Sequence, residues 1–185
     1  RHDPNFINER ENYFHKPQVN LNWYSYFGNG LTLTTVSYYS GGNGGGTGTY
    51  GSLGWDYTYT QRFADWDATI ARNVANGAGG SRGILRNSVN NQWTIGAISK
   101  LRKDFQSGFT GEIGVDWRTA NIEHYREVRD LLGGSFYDDC GRGCSSDFWS
   151  GNDGQRGLGD KIAYFNQNDV SWLGAYVQGE KTSVD

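Results

Sequence analysis

Phe109-Thr110-Gly111-Glu112-Ile113-Gly114-Val115-Asp116-Trp117 places apolar side chains at Phe109, Ile113, Val115 and Trp117 and charged ones at Glu112 and Asp116. Alternation at a period of two is the mark of a strand with unlike faces. The chain enters this stretch from a turn at Asp104–Gly108, and Trp93-Thr94-Ile95-Gly96-Ala97 lies upstream. The two segments read as one antiparallel hairpin. Val19-Asn20-Leu21-Asn22-Trp23, the turn Gly28-Asn29-Gly30 and Leu31-Thr32-Leu33-Thr34 repeat the pattern. Beyond the far end of each hairpin lies a long excursion rich in glycine and aspartate. Short turns on one side and long loops on the other are the sequence signature of an outer-membrane β-barrel.

Strands are expected over about Lys16–Phe27, Gln92–Lys103 and Phe109–Ile122, with another starting near Val170. Centring the first turn on Asn29 pairs Phe27 with Leu31, Trp23 with Thr35 and Val19 with Tyr39. Centring the second on Gln106 pairs Lys100 with Glu112 and Gly96 with Asp116. Val19, Leu21, Leu33, Ile95, Leu101, Ile113, Val115, Leu173 and Val177 are then expected to face lipid. Asn20, Asn22, Lys100, Glu112, Asp116 and Arg118 are expected to face the lumen. Phe109 and Trp117 stand roughly 20 Å apart in membrane height for a strand tilted near 40°. That distance suits aromatic girdles around a lipid band of about 25 Å.

Composition agrees with this reading. The 185 residues are 36% hydrophobic but 15% aromatic, and a barrel needs only one apolar stripe per strand. A formal charge of −3 without any basic run argues against a nucleic-acid partner. No apolar stretch approaches the roughly 20 residues of a transmembrane helix. The chain contains no methionine, and strand-like sequence at Trp172–Gln178 runs almost to its end. The expectation is an internal piece of a longer chain.

The excursion from Gly41 to Asn91 is too long to be an ordinary connection. Its middle reads as a helix with Phe63, Trp66, Ile70 and Val74 on one stripe. Asp65 and Asp67 lie early, Arg72 late, and Gly77 forms the stop. A second excursion, His124–Asn168, is acidic and holds Cys140 and Cys144. Their spacing suits a small disulfide loop, two free thiols being the other reading.

Other chemistry fails on context. Gly46-Thr47-Gly48-Thr49-Tyr50-Gly51 matches a dinucleotide fingerprint formally, but no helix opens from its glycines. Two cysteines are too few for structural zinc. Asp138, Asp139, Asp147, Asp153 and Asp160 lack the regular spacing of a calcium loop and read as an acidic, solvated surface. Glu123-His124 has no nucleophile assignable to it. The expectations are no catalytic residue, no metal and no cofactor.

Several blocks carry a resemblance. Asn12-Tyr13-Phe14-His15-Lys16-Pro17-Gln18-Val19-Asn20-Leu21-Asn22 resembles the entry to a barrel strand in TonB-dependent receptors, particularly the Bacteroidetes type that carries a carboxypeptidase-like regulatory domain. Gly44–Gly48, Leu85–Asn91, Glu123–Gly134 and Gly159-Asp160-Lys161-Ile162 are similar to later blocks of that family, in the same order. The resemblance implies an outer-membrane transporter of a Gram-negative bacterium, with a barrel of about 22 strands around a plug. Residues 1–185 would be part of that barrel, all-β and antiparallel, with about five strands and one short helix in its loops. The plug domain would be absent. The implied partners are the plug and remaining barrel, the TonB complex through the missing part, outer-membrane lipid and a small ligand of unknown identity. Rival readings are a soluble secreted β-sheet module binding glycan through exposed Trp and Tyr, and a structural barrel without transport.

Overall fold

The computed structural model describes residues 7–140 and 154–182. Its elements in chain order are β1 (Asn12–His15), β2 (Gln18–Tyr26), β3 (Leu31–Gly51), β4 (Gly54–Asp56), β5 (Phe63–Asp65), α1 (Trp66–Asn76), β6 (Gly83–Asp104), β7 (Phe109–Asp130), β8 (Tyr137–Asp138), β9 (Gln155–Arg156) and β10 (Lys161–Lys181). The main sheet runs β1-β3-β6-β7-β10, with β2 also paired to β3; β4-β5 and β8-β9 form two small sheets. β1 and β2 are two halves of one edge strand, parted at Lys16-Pro17. Proline has no N–H for the ladder, yet the Pro17 carbonyl still accepts from Gly41 N at 2.9 Å. The fold is therefore mostly antiparallel β-sheet with five strand positions. Among the described residues the sheet is open, with β1/β2 at one edge and β10 at the other.

The chain divides into two compact units, and β1, β3, β6, β7 and β10 contribute residues to both. The first holds residues 7–14, 43–90, 123–140 and 154–166; the second holds 15–42, 91–122 and 167–182.

In the second unit the first hairpin has the expected register, with Val19 opposite Tyr39 and Trp23 opposite Thr35. Its turn holds Gly28, Asn29 and Gly30 at φ of 78°, 49° and 72°, and Phe27 N donates to Leu31 O at 3.0 Å. The second hairpin departs from expectation. Gly108 N donates to Phe105 O at 3.1 Å and Phe105 N to Phe109 O at 2.8 Å. The loop is thus Gln106-Ser107-Gly108, centred on Ser107 rather than Gln106. Gly108, at φ 73°, takes the left-handed place that ends a three-residue hairpin loop. Asp104, read from sequence as part of the turn, remains in β6, where its Oδ1 accepts from Thr110 at 2.9 Å. Lys100 and Gly96 consequently stand opposite Gly114 and Arg118, not Glu112 and Asp116. Moving the centre by one residue shifts each partner by two, so the division into faces survives.

Two tyrosines of this unit lie flat over glycines on the neighbouring strand. Tyr38 covers Gly96, and Tyr176 covers Gly114 so closely that a Cβ there would lie 2.1 Å from the ring. Gly114→Val is expected to cost about 1–3 kcal/mol through overpacking. Gly111→Val is expected to be near neutral, because the nearest atom to its would-be Cβ is 3.6 Å away. Denaturant unfolding of both variants under the same conditions checks the contrast; equal losses would mean the ring does not sit there.

The first unit contains the apolar core, where Ile84, Val128, Leu131, Tyr137 and Ile162 pack together with Tyr50 against them. Its strand segments extend well past the limits expected from sequence. β3 continues through the glycine run to Gly51, β6 begins at Gly83, β7 continues to Asp130 and β10 begins at Lys161. About half of the excursion expected over Gly41–Asn91, and both ends of that over His124–Asn168, are therefore strand. These extensions carry polar residues on both faces, so alternation ends before the ladder does. Cross-strand bonds hold them, including Asn87 Nδ2 to Glu127 Oε1 at 3.0 Å and a short contact between His124 and Asn90.

α1 has the expected ends. Asp65 caps it by accepting from Ala68 N at 2.9 Å, and Gly77 closes it at φ 48°. Its buried side is not the expected stripe. Thr69 and Asn73 are buried, while Phe63 and Val74 are 52% and 60% exposed. Asn73 Nδ2 donates to the carbonyls of Gly83, Leu131 and Leu132, and Thr69 Oγ1 accepts from Gly54 N. The helix docks on the backbone of strand ends and of the Leu131-Leu132 loop through polar atoms, which periodicity of apolar residues cannot reveal.

Candidate functional site

The six residues expected to line a lumen fall on one face of the second unit. Asn20 and Asn22 stand opposite Tyr38 and Val36, and Tyr38 reaches across to Gly96 on β6. Thr35 and Ser99, hydrogen-bonded at 2.8 Å, fix the same β3-β6 register from the other face. Lys100 lies four residues along β6 from Gly96, on the same face. On β7, Glu112 accepts from the Tyr176 hydroxyl at 2.6 Å, and Asp116 pairs with Arg118 at 3.2 Å. The Arg118 guanidinium also lies 5.5 Å from the Trp172 ring. Asn20 Oδ1 accepts from Gln18 Nε2 at 3.2 Å. This face mixes polar and aromatic side chains, tied by the Tyr176–Glu112 hydrogen bond and the Arg118–Trp172 contact.

The opposite face is apolar and exposed. Val19, Leu21, Trp23, Ile95, Ile113, Val115, Trp117, Leu173 and Val177 are each exposed, up to 83% for Val177. Leu31, Leu101, Phe105, Phe109, Ile113 and Val177 line a shallow apolar depression on it. Along Glu112–Trp117 the polar positions are the better covered: Glu112 and Asp116 are half-buried and Gly114 is buried, whereas Ile113, Val115 and Trp117 are exposed. Hydrophobic transfer energy orders a water-soluble sheet the other way round.

In the first unit, Asp56, Phe63, Asp65, Trp66, Asp67 and Ile70 line a cavity of about 400 Å³ beside the start of α1. Hydrogen bonds from the Thr58 side chain and backbone hold the Asp56 carboxyl below the usual carboxylate range. Asp65 is committed to the helix cap. Among the described residues no group of three or more His, Cys, Asp or Glu could hold a metal. Gly46–Gly51, the formal dinucleotide match, lies inside β3 with no helix opening from it. Cys140 is disulfide-bonded. Cys144, the partner expected from sequence, lies outside the described residues, as do Asp147 and Asp153.

Tyr38 and Tyr176 escaped the sequence reading. Their signal was present as a glycine directly across the strand pair, but it needs a register accurate to one residue. No family model matches the chain, and no match is found among curated proteins or solved structures.

Proposed function

We propose that this chain is part of the barrel of an outer-membrane transporter of the TonB-dependent receptor kind, importing a ligand of unknown identity. The observation that carries the reading is the exposed apolar face of the second unit, with β7 as its clearest strand: Ile113, Val115 and Trp117 are exposed there while Glu112 and Asp116 are half-buried. Lipid is the solvent that makes such an arrangement stable. Support also comes from the aromatic residues bracketing the apolar face, Phe109 at one end and Trp117 at the other, and from the short turns that join its strands. The two open edges fit a segment whose neighbours lie elsewhere in a closed barrel, because unpaired edges in a bilayer cost several kcal/mol per group. In this reading the polar face of Asn20, Asn22, Lys100, Glu112, Asp116 and Arg118 lines the lumen. The loops of the first unit then lie outside the cell, where a disulfide at Cys140 persists. The plug, the rest of the barrel and the TonB complex are the partners the reading requires.

The test is the solvent the chain needs. Purified in detergent it should stay monodisperse, and on detergent removal it should associate through its exposed apolar face and unpaired edges. A sharp, reversible melt as a soluble monomer in plain buffer would overturn the membrane reading and favour a secreted binding module.

A further inference from the structure

Arg86 and Arg126 of the first unit lack an acidic partner among the described residues, as do Arg62, Arg72 and Arg82, but only these two stand close together on neighbouring strands. Arg126 lies with its guanidinium 5.1 Å from the Tyr164 ring and 5.7 Å from the Tyr50 ring. Its Nε is shielded from solvent and has no hydrogen-bond partner. Arg86, directly across from Gly48 on β3, donates from one terminal nitrogen to Gly46 O at 3.1 Å and Ser88 Oγ at 2.6 Å. Asn87 bonds Glu127 across β6 and β7, which sets Ser88 opposite Arg126 and Arg86 two places away on the same face; burial, with the positive charges of Arg126 and Arg10, holds the Arg86 guanidinium below its usual range. Arg10 has Glu9 at 3.5 Å, and Arg129 has Glu11 at 2.6 Å. Among the described residues no carboxylate lies within ion-pair distance of Arg86 or Arg126. Both residues are half-buried. Each is two residues from the core, Arg86 from Ile84 and Arg126 from Val128.

A half-buried pair of like charges is expensive, and charge of opposite sign is what relieves it. Two tyrosine rings within 6 Å of the Arg126 guanidinium favour its charge and restrict it, and its terminal N–H groups have no protein partner among the described residues. A guanidinium fixed in this way presents a fork that matches two oxygens of a carboxylate or phosphate. We propose that Arg86 and Arg126 form an oxyanion-binding site, taking a phosphate or carboxylate group of a ligand. Arg126 supplies the oriented fork, and Arg86, braced by Gly46 and Ser88, adds the second positive charge. The inference concerns the first unit alone and does not depend on the membrane reading.

The test uses the full chain in detergent at low ionic strength, titrated with inorganic phosphate and separately with succinate. The two anions separate the two sources of the oxyanion: tighter binding of one assigns the group. Arg126→Gln and Arg86→Gln are each expected to weaken the preferred anion about 10- to 100-fold, the value of one charge-assisted hydrogen bond. Arg126→Lys is expected to weaken it as well, since the fork is lost while the charge stays. Arg102→Gln, in the other unit, should leave binding unchanged. A second readout needs no variant. Phenylglyoxal labelling of the wild-type chain, mapped by mass spectrometry, should slow at Arg86 and Arg126 when the anion is present and not at Arg102. Neither anion binding, equal affinity in all variants, or labelling that ignores the anion would each overturn the proposal.

Discussion

Ile113→Lys is expected to destabilise the lipid-embedded protein by about 2–4 kcal/mol, the cost of a lysine near the middle of a barrel's lipid face. Ile113 stands midway between Phe109 and Trp117 on β7 and is 52% exposed. In water that exposure would make the substitution nearly neutral, since a lysine there gains solvent and loses little packing. The sign and size of the effect therefore report the solvent rather than the fold. Thr119→Lys lies two residues past Trp117 on the same face, where the penalty should fall to about 0–1 kcal/mol. Asn22→Lys, on the polar face, should also cost little. Urea unfolding of the three variants within the closed parent barrel, in vesicles of one lipid composition, gives the comparison. If Ile113→Lys costs no more than Asn22→Lys, the apolar face does not meet lipid.

What could be read in the sequence followed the reach of each physical signal. The β2-β3 hairpin was legible to the residue, because Gly28-Asn29-Gly30 supplies three positive-φ positions and apolar residues flank it in step. The β6-β7 turn was misplaced by one residue. Asp104 is a turn-former by type, but its carboxylate is bound to Thr110 within the ladder. Faces survived that error because parity is unaffected by a shift of two in the partner. The strand extensions in the first unit were not legible. Asn43–Gly51 and Asn87–Asn91 offer neither alternation nor β-branched enrichment, and hydrogen bonds across strands hold them instead. α1 was found through its caps, Asp65 and Gly77, while its packing was misjudged because Thr69 and Asn73 dock through polar atoms. Arg86 and Arg126 are far apart in sequence, so nothing short of the register could bring them together.

Asn73→Ala is expected to cost about 2–4 kcal/mol and to loosen the first unit locally, since each buried polar group left unpaired costs roughly 1–3 kcal/mol. Asn73 is 1% exposed. Its amide nitrogen donates to Gly83 O at 2.8 Å, Leu132 O at 3.0 Å and Leu131 O at 3.3 Å, and its Oδ1 accepts from Arg82 N at 2.9 Å. One side chain thereby ties α1 to the start of β6 and the end of β7. Alanine leaves the Arg82 N–H and the carbonyls without that partner. Some of the carbonyls retain other bonds, as Leu131 O does from Ser81 Oγ at 2.5 Å, which keeps the total below the sum of separate losses. Asn73→Asp discriminates further. It preserves the acceptor for Arg82 N but sets a carboxylate against three carbonyl oxygens, so at neutral pH it should be at least as damaging as alanine. Acidification restores a proton donor there, so the loss should shrink as pH falls through the pKa of the introduced carboxyl, which its surroundings raise. Hydrogen exchange at the Arg82 amide is the local readout. It should accelerate in both variants, while amides of the β2-β3 hairpin keep their wild-type rates. An unchanged Arg82 rate in Asn73→Ala would show that this side chain does not hold the helix to the sheet.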